Sequence, residues 1–316
     1  MLRLLLSPLG WLYGHSVARR LATATPFALP IPVISLGNLT VGGTGKTPLA
    51  RLIAIEMSGL VNGPVAIVSR GYGGSLTGPV RVDPTLHTAE DVGDEPLMLA
   101  QDGPVIVSRD RLLGGQFGVQ QGMAALILDD AHQNPALAKD LSIVVVDGTT
   151  GFGNGHLVPA GPLRESVVKG LARADVIITM GDVSEDAQAD LAHFEGPILN
   201  GDLYPEPVTI EGKVLGFCGI GRPEKFDATL KGLGLDVVDM YPFPDHHPYS
   251  ATDIKRLEDS ARQYTATLVT TKKDFVRLPP SFAQNVRVIP VEARMSDPAA
   301  LRGMLLHALD SARERD

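Results

Sequence analysis

The chain is 316 residues long and 44% apolar, enough to bury a full core in one large domain or two moderate ones. Its 28 basic and 36 acidic residues leave a net charge of −8, which argues against a nucleic-acid partner recruited by bulk charge. A single cysteine, Cys218, excludes an internal disulfide and a cysteine-based zinc site. No repeat, low-complexity tract or clean apolar run long enough to span a bilayer is present, and no obligate protein partner is evident.

The first segment, MLRLLLSPLGWLYGHSVARRLATATP, sets Leu2, Leu5, Leu6, Leu9, Leu12 and Tyr13 on one helical stripe. Arg3, Ser7, Gly10 and Gly14 lie opposite, and His15, Arg19 and Arg20 follow. Three readings compete: a signal peptide, a helix packed on the domain, and an interfacial helix with leucines in lipid and arginines toward anionic headgroups. Arg19 and Arg20 fall between the apolar run and Ala22-Thr23-Ala24, which counts against the signal peptide. Residues 1–25 are therefore assigned to a membrane-interface helix.

A short apolar strand, Ile31–Leu36, then enters a glycine-rich turn, Thr40-Val41-Gly42-Gly43-Thr44-Gly45-Lys46-Thr47, followed by a helical pattern over 48–57. The usual phosphate-loop pattern begins with glycine, and here Thr40 stands in its place. The chemistry survives the change. Gly42, Gly43 and Gly45 let backbone N–H groups turn around an anion, and the helix start adds partial positive charge. Lys46 can reach β- and γ-phosphate oxygens, and the Thr47 hydroxyl can ligate Mg²⁺. Partition-type ATPases carry a further lysine where this chain has Val41, which counts against them.

Beyond the loop, near-continuous apolar runs at 65–69, 105–108, 125–130, 143–148, 176–179 and 197–200 alternate with helical patterns. They read as buried strands of a parallel sheet covered on both faces. The pattern loosens between about 203 and 213, and a second αβ series follows, with strands near 214–220, 235–243, 267–271 and 286–292. The division expected is a phosphate-loop core over 26–205 and a smaller α/β domain over 206–316.

Several acidic groups are metal or base candidates. Two apolar strands end in aspartate, at Asp129-Asp130 and at Asp147, as an acid that helps hold Mg²⁺ would. Adjacent carboxylates repel unless a cation lies between them, which favours the doubled pair. Asp91, Asp94 and Glu95 form another group, also readable as an acidic helix start. Asp245-His246-His247 on a proline-bounded loop reads better as a source of one imidazole base than as a metal triplet, because adjacent side chains diverge. Thr271-Lys272-Lys273-Asp274 fits the guanine-recognition pattern of switch GTPases and equally a capped helix start.

Taken together, GNLTVGGTGKTP, SRGYGG, VGDEP, LDD followed by Gln133, GNGHLVPAGPLRE, GIGRPEKF, FPDHHPY and TTKKDFVRL occur in order from residue 37 to 278. This series resembles the tetraacyldisaccharide 4′-kinase family of lipid A biosynthesis, over nearly the whole chain. The resemblance implies transfer of the ATP γ-phosphoryl group to the 4′-hydroxyl of a tetraacylated glucosamine disaccharide 1-phosphate. It implies a P-loop NTPase-like parallel core with a smaller α/β domain, Mg²⁺, and monotopic attachment to the cytoplasmic face of the bacterial inner membrane. Carried over by motif, Lys46 and Thr47 contact phosphate and metal, Asp94 activates the acceptor hydroxyl with His246 as its partner, and Asp129 and Asp130 form the Mg²⁺ group. Glu95, Arg111, Gln133, Arg164 and Glu165 orient substrate. The family often has Gly-Phe-Gln-His after the paired aspartates, where this chain has Ala131-His132-Gln133-Asn134; His132 is a candidate to replace the lost histidine. A partner-binding GTPase and a soluble metabolite kinase are the alternatives.

Overall fold

The strands form because their residues are β-branched or aliphatic and have two apolar faces to cover. In chain order they are β1 (Val33–Gly37), β2 (Val65–Ser69), β3 (Val80–Arg81), β4 (Val105–Val107), β5 (Ala125–Asp129), β6 (Leu141–Asp147), β7 (Val176–Met180), β8 (Ile198–Pro205), β9 (Lys213–Cys218), β10 (Asp236–Pro242), β11 (Ala266–Thr271), β12 (Val286–Ile289) and β13 (Val291–Met295). The structure is a computed structural model that describes residues 2–314, apart from the side chains of residues 2–9 and of Leu12.

Nine strands form one sheet in the order β13-β8-β7-β6-β1-β5-β2-β4-β3, and four form a second in the order β10-β9-β11-β12. The large sheet is parallel except at its edges, where β3 and β13 run antiparallel to β4 and β8. The small sheet is parallel throughout. Every residue of β1, β2, β5, β6 and β7 is buried. One face packs Ile34, Ile127 and Ile143 against Leu49, Ile53 and Met57 of the helix Lys46–Ser58 and Leu301 and Leu305 of the helix Pro298–Arg313. The other face packs Val33, Leu126 and Leu128 toward the helix Arg111–Gln120.

The chain leaves the large sheet after β8 and returns to it at β13, so residues 291–313 differ from the expectation that all of 206–316 form one unit. The apolar run 286–292 is two strands, because Pro290 has no N–H and interrupts the ladder. β12 stays in the small sheet, and β13 pairs with the free edge of β8. Leu203–Pro205, expected as the start of a linker, extend β8.

The first segment is a helix, Leu2–Thr23. Gly10, Gly14 and Val17 share one face of it, and that face meets the protein. A Cβ on Gly14 would lie 2.6 Å from Leu157 Cδ1, and Val17 is buried. Trp11, stacked on His15 at 5.4 Å, and Tyr13 are exposed, while Arg20 donates to the Gln133 carbonyl at 3.3 Å. The side chains of Leu2, Leu5, Leu6, Leu9 and Leu12, the expected lipid-facing stripe, lie outside the described residues. Among the described residues no helix is long and apolar enough to cross a membrane.

Gly37 ends β1 immediately before the phosphate loop, and a Cβ there would lie 2.6 Å from His132 Cβ and 2.7 Å from its backbone nitrogen. Gly37→Ala is expected to lower unfolding free energy by about 1–3 kcal/mol. Gly303→Ala, on an exposed helix position with nothing within 4 Å, is expected to be neutral or to stabilise by up to about 1 kcal/mol. Urea unfolding of the two variants checks both.

Candidate active site

The phosphate loop leaves the carboxyl end of β1 between β5 and β6, the position at which open parallel sheets bind ligands. Its shape is set locally and braced from one side. Gly42 (φ 116°) and Gly45 (φ 81°) take left-handed conformations that cost other residues energy. Thr40 bridges to Leu163, Val41 N–H donates to the Pro162 carbonyl at 2.8 Å, and Arg164 N–H donates to the Leu39 carbonyl at 2.7 Å. Gly45 stands at the start of the helix Lys46–Ser58 without a side-chain cap, so first-turn N–H groups remain available to an anion.

Around this loop the carboxylates fall into two kinds. Asp130 accepts two bonds from Arg164 Nη1, at 2.8 and 2.9 Å, and lies 3.8 Å from Lys46 Nζ. Burial opposes its charge, but Lys46 and Arg164 outweigh burial and hold its carboxyl below the usual aspartate range. Asp129 is pushed up to about 6, by burial first and then by the neighbouring charges of Glu95 and Asp130. Arg111, expected to orient substrate, is instead buried beneath the pair, with its guanidinium donating to the carbonyls of Ser108 and Asp129. It supports the strand end from inside.

Glu95 accepts from the Thr47 hydroxyl at 3.2 Å, tying the loop to the helix Asp94–Leu99. Asp94 opens that helix after Gly93 (φ 89°), is 5% exposed, and meets His246 Nδ1 at 2.9 Å. Arg277 Nε lies 3.6 Å from the same oxygen, Asp94 Oδ2. Asp91 belongs elsewhere, as the reciprocal cap of Thr88. His246 and His247 diverge as adjacent side chains do: His247 meets Asp253 at 3.0 Å and stacks on Phe243 at 4.8 Å.

Gln133 and Glu165 sit behind the loop. Gln133 donates to the Asn38 carbonyl at 2.8 Å and to Glu165 at 3.0 Å, and Arg173 grips Glu165 at 2.6 and 2.7 Å. His132 does not replace the lost histidine. It is 1% exposed, its Nε2 meets the Gly170 carbonyl at 2.9 Å, and burial pushes it down to about 4; it is a neutral core residue lying over Gly37. Asp147, the other strand-end aspartate, is occupied by Arg222 and by Thr150 at 3.1 Å.

The guanine-recognition reading of Thr271–Asp274 fails on geometry. Asp274 is fully buried and accepts from Gly219 N–H, the hydroxyls of Tyr249 and Thr271, and Arg277. The capped helix start is what forms, with Asp274 N–H donating to Thr271 Oγ1 at 3.1 Å.

Reasoning from the residues alone missed three cations. Arg222, at the carboxyl end of β9, donates to the Gly43 carbonyl at 3.0 Å and to Asp147. Lys273 and Arg277, after β11, surround His246 and Asp94. Their signal lay in the GIGRPEKF and TTKKDFVRL segments, although neither segment says what its cations face.

The raised Asp129 carboxyl has a measurable consequence. A folded-state value above the unfolded one stabilises the fold at low pH, and that contribution is lost as pH rises through about 6. Asp129→Asn is expected to remove this slope from the stability of metal- and nucleotide-free protein, measured by urea unfolding in steps from about pH 4 to about pH 7.

Residues 2–310 match the model of the tetraacyldisaccharide-1-P 4′-kinase family. A tetraacyldisaccharide 4′-kinase of Rhodospirillum centenum is 47% identical over 311 residues, 96% of this chain and 91% of that one. Its counterpart in Phenylobacterium zucineum is 48% identical over 309 residues, 95% of this chain and 92% of that one. The crystal structure of LpxK from Aquifex aeolicus in complex with ATP is 28% identical, covers 98% of this chain and 100% of that one, and superposes with a TM-score of 0.78.

Proposed function

The chain belongs to the tetraacyldisaccharide-1-P 4′-kinase family, and from that premise we propose that its site transfers the γ-phosphoryl group of ATP to the 4′-hydroxyl of a tetraacylated glucosamine disaccharide 1-phosphate, a lipid A precursor. The observation that carries the assignment of roles is the 2.9 Å contact between His246 Nδ1 and Asp94 Oδ2 beside the phosphate loop. A sugar hydroxyl is a weak acid, so its proton must leave as the new O–P bond forms, and a carboxylate oriented by an imidazole is suited to take it.

In this reading Thr40–Thr47 hold the nucleotide. Backbone N–H groups and the helix start face the β- and γ-phosphates, and Lys46 follows charge onto the transferring oxygens. Asp94 receives the hydroxyl proton, while His246 holds the carboxylate in its orientation. Arg164 positions Asp130 and, with Gln133 and Glu165, supports the loop from behind.

The donor set suits Mg²⁺, which takes hard oxygen ligands, one or two of them carboxylates, and keeps waters and phosphates for the rest. Thr47 and the pair Asp129 and Asp130 would hold it; Asp129 is raised first by burial and then by the charges of Glu95 and Asp130, and a cation would relieve that second part. Bound there, the ion neutralises charge on phosphoryl oxygens.

A four-chain lipid acceptor stays in the bilayer, so the enzyme works at its surface, on the cytoplasmic face where ATP is available. The exposed Trp11, Tyr13, Arg19 and Arg20 of the helix Leu2–Thr23 favour monotopic attachment through that helix.

Labelled ATP and the tetraacyl disaccharide 1-phosphate in detergent micelles test this reading. Product is expected from the parent chain, with a loss of about 10²–10⁴-fold in kcat for Asp94→Ala and a loss of at least that order for Lys46→Ala. Chelation is expected to abolish transfer and added Mg²⁺ to restore it. Absence of product from nucleotide-bound parent protein overturns the acceptor assignment.

A further inference from the structure

The segment after β11 enters the site, and the chemistry above makes no use of its second lysine. Lys273 Nζ lies 3.2 Å from His246 Nε2, 3.2 Å from Asp245 Oδ1 and 3.5 Å from Glu95 Oε1. An ammonium has hydrogens to give and no lone pair to offer, so the bond to the ring runs from Lys273 to Nε2. Nε2 then presents its lone pair, and the ring hydrogen sits on Nδ1, pointing at Asp94 Oδ2 at 2.9 Å.

We propose that Lys273 is a positioning residue of the phosphoryl transfer: it holds His246 in the Nδ1–H tautomer, so that the imidazole donates to Asp94 and leaves that carboxylate as the acceptor of the substrate proton. The proposal rests on the Asp94–His246 reading above. The opposite tautomer would set a ring lone pair against the carboxylate and turn the two groups apart. A doubly protonated ring would set its second N–H against those of the ammonium, donor to donor.

The surroundings confine the lysine to this task. His246 has φ 59°, a left-handed conformation uncommon outside glycine. It is held by its own N–H, which donates to Asp245 Oδ1 at 3.0 Å and to the Gly219 carbonyl at 3.3 Å. Lys273 grips the same Asp245 oxygen, so one side chain fixes both the ring and the turn that carries it. Its backbone is set by the Thr271 cap, and its carbonyl accepts from Arg277 Nε at 3.3 Å. Other neighbours of the pair are Arg277 against Asp94, the Glu95 N–H donating to Asp94 Oδ1 at 2.9 Å, and the Tyr72 ring, 5.6 Å from that of His246. Asp245 Oδ1, at 3.8 Å from Nε2, is farther than the Lys273 ammonium and beyond hydrogen-bond distance.

A bridge that merely joined the two sheets through Glu95 would not need to touch the ring, and the test separates these roles. Lys273→Met removes the donor, and Lys273→Arg keeps both charge and donors. In the micelle assay Lys273→Met is expected to lower kcat about 10–100-fold with the ATP KM within about threefold, and Lys273→Arg to recover most of the loss. Two-bond proton–nitrogen spectra of ¹⁵N-histidine-labelled protein, with the His246 signals identified by their loss in His246→Asn, are expected to show hydrogen on Nδ1 in the parent. A tautomer mixture is expected in Lys273→Met. Parental kcat in Lys273→Met, a loss confined to the ATP KM, or hydrogen on Nε2 in the parent overturns the proposal. Asp94→Ala measured alongside separates the two failures: full activity there removes the Asp94–His246 reading as well, whereas an inactive Asp94→Ala beside an active Lys273→Met removes this proposal alone.

Discussion

The hydrogen bond between His246 and Asp94 joins side chains 152 positions apart, and both sheets serve to hold it. Closing so long a loop and ordering both partners opposes folding by conformational entropy, so a single bond worth about 1 kcal/mol net could not bring them together. Each partner is therefore anchored independently. Asp94 is held by the turn at Gly93 and by the packing of Leu97 and Leu99 beneath it. His246 is held by a loop whose neighbours converge on Asp274, buried and contacted by Gly219, Tyr249 and Arg277. The contact forms between two prepared surfaces.

Those surfaces are the carboxyl edges of the two sheets. In the large sheet, β1, β5 and β6 end at the phosphate loop, Asp129 and Asp147. In the small one, β9, β10 and β11 lead to Arg222, His246 and Lys273. The facing edges differ in charge, and the ion pairs that cross between them follow from that difference: Arg222 to Asp147, Lys273 to Glu95, and Lys272 to Asp102 at 2.6 Å. Partly buried pairs of this kind owe much of their Coulomb gain back to desolvation. Their main effect is to set the register of one edge against the other.

Electrostatic balance also explains why neighbouring carboxylates behave differently. At an effective dielectric near 20, two charges about 4 Å apart interact by about 4 kcal/mol, enough to decide a protonation state. Asp130 faces Arg164 and Lys46, which hold its carboxyl below the usual aspartate range; Asp129, next in the chain, is raised to about 6 by burial and then by the charges of Glu95 and Asp130. A one-residue step along an irregular strand end, with φ 49° at Asp130, separates the two.

The phosphate loop, the buried strands and the order of the motifs are legible in the residues alone, because each depends on neighbours within a few positions: glycine freedom, a helix start, apolar periodicity. The sequence also carried Asp94, His246 and the Asp129-Asp130 pair through the family resemblance. Pairings between distant segments were settled only in the tertiary structure. Pro290 marks a break, yet only the free edge of β8 returns β13 to the large sheet. Arg111 reads as a site arginine until the strand ends close over it, and His132 reads as a spare imidazole until Gly37 admits it to the core. Thr271–Asp274 had two meanings in the sequence, and the burial of Asp274 among Gly219, Tyr249 and Arg277 decides between them. Local conformation is written in adjacent residues, whereas the charge and hydrogen-bond partner of a side chain depend on what long-range packing brings within about 4 Å of it.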